Sequence, residues 1–113
     1  MKKVLWFSRH PALPNQIEEL QKMYGNDVKI IQYGKKVASA EDIVKIYQQE
    51  QADDMVVVAP LSVLAVLCEK GMNPLYAQME RVPLKEAEVT VSDRGFKFVK
   101  FRRIKKVILE FFD

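Results

Sequence analysis

One cysteine and one histidine stand among 113 residues. Cys68 has no partner for an internal disulfide and falls in an apolar helical pattern, so it reads as a buried, inert thiol. A lone imidazole and a lone thiol are too few soft ligands for a zinc site built by one chain, and no metal is expected. Ser-His-Asp hydrolysis lacks its Gly-x-Ser-x-Gly elbow and an acid to orient the ring. There are only four glycines, and neither common glycine-rich phosphate loop is present. No apolar run approaches the roughly 18 residues of a membrane span. The apolar run after Lys2 and Lys3 lasts about four residues before meeting Arg9 and His10, too short for a signal peptide. A cytoplasmic location follows by default.

What is present is an ordinary globular balance, 49% apolar and 29% charged, enough for a single core. No linker, repeat or second domain is visible, so residues 1–113 read as one α/β domain. The net charge of +3 is unevenly placed. Between Arg94 and Leu109 lie Arg94, Lys97, Lys100, Arg102, Arg103, Lys105 and Lys106, with no acid. Such a segment attracts polyanions, including nucleic acid. It serves equally as a lysine-rich edge that blocks strand-to-strand aggregation.

Residues 1–80 alternate strand and helix. Val4 to Phe7 is an unbroken apolar run, the pattern of a strand covered on both faces. It stops at Ser8-Arg9-His10-Pro11, because proline cannot donate to a ladder. Pro14 and Asn15 start a helix through Tyr24, with Gly25 just beyond it. Residues 28–33 form a second strand. Ser39 caps a helix over 40–51 whose apolar stripe is Ile43, Val44, Ile46 and Tyr47. Residues 55–59 are a third strand. Pro60 opens a third helix, apolar on most sides, that runs to Gly71 and belongs deep in the core or at a subunit interface. A fourth strand is expected over 73–78.

Residues 86–113 change register. Residues 87–91 alternate, Ser92-Asp93-Arg94-Gly95 has hairpin chemistry with glycine at the left-handed position, and residues 96–98 return. Residues 107–112 suit a final strand or docking tail, while residues 102–106 also suit the start of a short helix. The expected architecture is a Rossmann-like, mostly parallel sheet of order 2-1-3-4 flanked by helices. The hairpin extends an edge or folds over one face.

Strands one and three are then neighbours at a topological switch point, where ligands bind at the carboxyl edge. Ser8, Arg9 and His10 face Pro60, Leu61 and Ser62 across that crevice. The first turn of helix three offers free N–H groups to an anion, Ser62 adds a hydroxyl, and Arg9 adds a fork of donors. Each has a plainer reading: Ser62 caps its own helix, Arg9 reaches solvent, and His10 is a surface residue.

Arg9-His10 after a first strand also resembles the histidine-phosphatase signature. That family wants glycine at position 11 and a second histidine, and this chain has neither. Trp6-Phe7-Ser8-Arg9-His10-Pro11, the overall length, and Val58-Ala59-Pro60-Leu61-Ser62 opening an apolar helix resemble small CRISPR-associated ring-nuclease-like proteins, which are related to cyclic-oligoadenylate sensor domains. The likeness covers about half the chain and leaves the basic hairpin unmatched. It implies a cytoplasmic homodimer in antiviral defense that binds a cyclic oligoadenylate across its twofold axis without a cofactor. Metal-independent cleavage by ribose 2′-hydroxyl attack is an open extension. In that scheme His10 moves the proton, Arg9 and the helix-three amides hold the phosphate, and Ser8 positions the ribose. Gln78 and Glu80 meet adenine edges. The alternative is a non-enzymatic nucleic-acid- or nucleotide-binding module that uses the basic hairpin. Phe96, Phe98 and Phe101 then stack on bases or, more plainly, form the core face of a strand.

Overall fold

The structure is a computed structural model describing residues 1–34 and 39–112. It is a mixed α/β domain: one six-stranded sheet and three α-helices. In chain order these are β1 (Lys3–Phe7), α1 (Pro14–Tyr24), β2 (Lys29–Tyr33), α2 (Ala40–Glu50), β3 (Asp54–Val57), α3 (Leu61–Glu69) and β4 (Leu75–Val82). A 3-10 turn (Leu84–Glu86) then leads to β5 (Val89–Val91) and β6 (Arg94–Arg103).

The sheet order is β2-β1-β3-β4-β6-β5. The expected order 2-1-3-4 is contained in it, with those strands parallel. The sheet does not stop there, so it is not a simple Rossmann-like order. The hairpin extends the β4 edge, with β6 antiparallel to both β4 and β5. β1 and β3 are adjacent as expected, from Val4↔Asp54 to Phe7↔Val57.

Two apolar layers sandwich the parallel strands. On one face Leu5, Phe7, Met55 and Val57 meet Ile43 of α2 and Leu64 and Leu67 of α3. On the other, Val4, Trp6, Val56 and Leu75 meet Leu20 of α1. Both sides being covered explains why β1 and β3 are apolar without alternation.

Local chemistry sets the helix ends. Pro14 opens α1, and the Gln16 side chain reaches back to accept the Leu13 N–H at 2.7 Å. Ser39 Oγ accepts the Asp42 N–H at 3.2 Å, capping α2 as expected. α3 is less enclosed than its composition suggests. Leu64 and Leu67 are buried, while Leu61 is exposed.

Four sequence expectations are corrected. β4 runs on to Val82, because each of its residues finds a partner on β6. In the hairpin, Ser92 and Asp93 occupy the left-handed region, at φ 49° and 63°, giving a two-residue turn between Val91 and Arg94. Gly95 lies inside β6, where its lack of a side chain allows close approach by Val82 and Ala87. Residues 104–112 form neither a helix nor a last strand. Ile104 and Val107 pack on the α2–α3 layer, and beyond them Ile108, Leu109, Phe111 and Phe112 are exposed.

One irregularity shapes the second half. β4 and β6 shift register between Gln78↔Lys100 and Met79↔Phe98, leaving Val99 as a bulge. The extra residue resets the alternation, so Phe96, Phe98, Phe101 and Arg103 share a face with Leu75, Ala77 and Met79. That is the α1 face, where Phe101 meets Trp6 edge-to-face at 6.1 Å and Phe98 at 4.8 Å. The three phenylalanines are therefore a packed strand face.

Candidate functional site

β3 and β4 are joined by a single ladder pair, Val56↔Leu75. Past it they diverge: β3 ends at Val57, while β4 continues to Val82 paired only with β6. The gap at the carboxyl edge of the parallel strands is a cleft of about 400 Å³. Val57, Val58, Ala59 and Leu64 line one side, and Tyr76, Ala77 and Met79 line the other. Trp6, Leu13 and Gln16 close the α1 end, and Val89, Val91 and Phe96 bring the hairpin in. Ser8, His10 and Pro11 stand on its wall.

The Ser8-Arg9-His10 corner is held from below. Trp6 Nε1 donates to the His10 carbonyl at 2.8 Å, and the His10 N–H donates to Ser8 Oγ at 3.2 Å. Gln32 Nε2 donates to the Ser8 carbonyl at 3.2 Å. The backbone is thereby fixed while the Arg9 and His10 side chains remain exposed.

No lining residue carries a fixed charge. The polar side chains are Ser8, His10, Gln16 and the Tyr76 phenol. Gln16 is the least expected of these. It is 4% exposed; its oxygen serves Leu13, and its amide nitrogen reaches only the Met79 sulfur, at 3.9 Å. Thioether sulfur is a weak acceptor. The Gln16 amide therefore has donor capacity left for an occupant of the cleft.

Of the residues singled out from sequence, the structure brings Ser8 and His10 into this cleft together with Val58 and Ala59. Arg9 is exposed and not on its lining, and neither are Pro60, Leu61, Ser62, Gln78 and Glu80. Gln78 points to the outer face, where it accepts from Arg102 Nη1 at 3.4 Å, and Glu80 lies 4.0 Å from Lys97. Among the described residues no cluster of His, Cys, Asp and Glu could hold a metal, and no helix is long and apolar enough to cross a membrane.

A second cluster lies at the amino end of β3. Asp54, 5% exposed, accepts from Arg103 Nη1 at 2.7 Å and Nη2 at 2.8 Å, from the Met55 N–H at 2.8 Å, and from the Tyr24 hydroxyl. Arg103 Nη1 also donates to the Asn73 carbonyl at 2.9 Å. The fork fastens the end of β6 to β3, beside the single ladder pair that joins the two halves of the sheet. Hydrogen bonding to Asp54 raises the Arg103 pKa further. Burial, then the bond to Asp54, raises that of Tyr24. Burial also raises Tyr33 and Tyr47, followed by Glu50 and by Asp54 and Asp53 respectively.

These shifts predict an alkaline limit. A raised tyrosine pKa favours the protonated native state, so the associated stability is complete below the ordinary tyrosine pKa of 10.0 and is lost as pH rises through the folded value. Urea midpoints should hold up to about pH 10 and fall above it, less steeply in Tyr24→Phe. Identical alkaline slopes in the two proteins would remove Tyr24 from this account.

The fold and the cleft define a mixed α/β domain with a mostly apolar cleft at the end of its parallel strands. No protein-family model, curated protein or solved structure matches the chain.

Proposed function

We propose that the protein binds an adenylate-type nucleotide, placing a base in the β3–β4 cleft and leaving the phosphate outside. A cyclic oligoadenylate is the member of this class that the amino-terminal residues favour. One observation carries the reading: an aromatic and aliphatic cleft of about 400 Å³ whose few polar side chains are uncharged or titratable, with spare donor capacity at Gln16. A purine base needs that combination of apolar walls for its faces and a few hydrogen-bonding groups for its edge. A bare phosphate needs fixed cations, and the lining has none. Arg9, exposed beside the wall, is the cation nearest in sequence to that rim.

A thermal-shift screen with AMP and the cyclic di-, tri-, tetra- and hexa-adenylates tests the assignment. At a hundredfold excess over Kd a true ligand adds about 2.7 kcal/mol, a rise of about 11 °C for a domain of this size. Gln16→Leu should abolish the shift. His10→Ala should keep binding and lose any metal-independent cleavage seen with EDTA present. No shift with any of these nucleotides would defeat the reading.

A second reading rests on a separate surface. Lys97, Lys100 and Arg102 are exposed and share the outer face of β6, opposite its phenylalanines. Arg103 is taken by Asp54 and is not part of it. If this face binds single-stranded RNA, the double change Lys100→Ala, Arg102→Ala should reduce the slope of log K against log salt by about 1.4. A flat salt dependence in the unaltered protein would dismiss it.

A further inference from the structure

The cleft has an open strand edge within it. Because β3 leaves β4 after Val56↔Leu75, the β3-side backbone of β4 from Tyr76 onward has no ladder partner among the described residues. An unpaired edge beside apolar walls is the arrangement that accepts an added strand. The same chain carries a segment that fits it. Val107-Ile108-Leu109-Glu110-Phe111-Phe112 is built of branched and aromatic residues, yet Ile108 is 64%, Phe111 85% and Phe112 106% exposed. Such side chains favour strand pairing, and the described residues leave them largely uncovered.

We propose that two copies of this protein exchange these segments, residues 108–112 of each lying along β4 in the cleft of the other. The occupant is a second copy because the segment's own root faces away. Ile104 and Val107 pack on the α2–α3 layer, and Asn73 Nδ2 donates to the Ile104 and Lys105 carbonyls at 3.0 and 3.1 Å. The Ile104 N–H also donates to the Pro74 carbonyl at 3.0 Å, so the root is held at the amino end of β4, whereas the cleft opens at the carboxyl edge of the parallel strands. One cleft and one segment per chain close a twofold pair with both sites filled. The interface is small, so the dimer dissociates on dilution. A nucleotide entering the cleft displaces the segment. The proposal depends on the cleft and not on the identity of that ligand, so it is tested without nucleotide.

Sedimentation equilibrium of the full chain should give a concentration-dependent mass approaching twice the chain mass. Deleting residues 108–113, or changing Phe111 and Phe112 together to serine, should give a monomer at every concentration with an unchanged circular dichroism spectrum. Ala77→Trp, which fills the cleft and leaves the segment intact, should also be monomeric. Mixing Ala77→Trp with the truncated protein should restore a one-to-one pair, since one partner supplies the segment and the other the cleft. A full chain that stays monomeric, a truncated protein that still dimerises, or a mixture that fails to pair each overturns the exchange.

Discussion

Asp54→Ala should cost about 3 kcal/mol of folding stability, a fall of about 12 °C in Tm for a chain of this length. The carboxylate is buried and accepts from four donors on Tyr24, Met55 and Arg103. Removing it takes the partner from the Tyr24 hydroxyl and Arg103 Nη2, while Arg103 Nη1 keeps the Asn73 carbonyl. The Arg103 side chain is 42% exposed, so water recovers part of the loss, and the cost falls at the lower end of that for breaking a buried pair. The effect should also be directional. β3 and β4 share one ladder pair, so the Arg103 fork is a main tie between the two halves of the sheet. Amide exchange in β4 and β6 should rise more than in β1 and β2. Urea denaturation read by circular dichroism gives the first quantity. A loss below about 0.5 kcal/mol, the range of ordinary surface changes, would show that the cluster holds nothing together.

The parallel half of this fold is legible because its signals are local. Val4 to Phe7 and the third strand are uninterrupted apolar runs; Pro14 and Pro60 mark helix starts by their fixed backbone, and Ser39 by its capping hydroxyl. With short crossovers of fixed hand, those marks place β1 beside β3 and the Ser8–His10 corner at the carboxyl edge.

The cleft is less legible because it depends on a divergence between strands. Nothing in residues 73–82 announces that β4 pairs with β3 once and then follows β6 to Val82. That divergence moves the site from the start of α3, where Ser62 stands, toward Gln16, Met79 and Phe96. Gln16 had a signal of its own: a glutamine two residues past an opening proline is placed to reach back to the backbone at the helix start. The bulge at Val99 is harder to read. It breaks the period-two rule within β6, and only the cross-strand register reveals that Phe98 and Phe101 face the same way. The basic run looked like one patch for a related reason. Side-chain identity does not tell that Arg103 turns inward to Asp54 while Lys100 and Arg102 turn outward.

Gly95→Ala should cost about 2 kcal/mol, a fall of about 8 °C in Tm. A Cβ at this position would lie 2.8 Å from the Ala87 Cβ, 2.9 Å from the Val82 carbonyl oxygen and 3.3 Å from the Leu84 Cα. Two of these are backbone atoms on the segment that turns from β4 into the hairpin, so no rotamer change relieves them. Gly95 is also paired on both sides, to Val82 and to Thr90, and cannot slide. Restoring space with Ala87→Gly in the same chain should recover only part of the loss, because the Val82 carbonyl remains. The consequence reaches the cleft: β5 and Phe96 supply its hairpin wall, and pushing the 84–87 segment outward moves that wall. The variant should therefore show a lower Tm and, on the proposed function, a smaller shift with a nucleotide. An alanine tolerated without loss of stability would mean that the hairpin is not packed this closely against the end of β4.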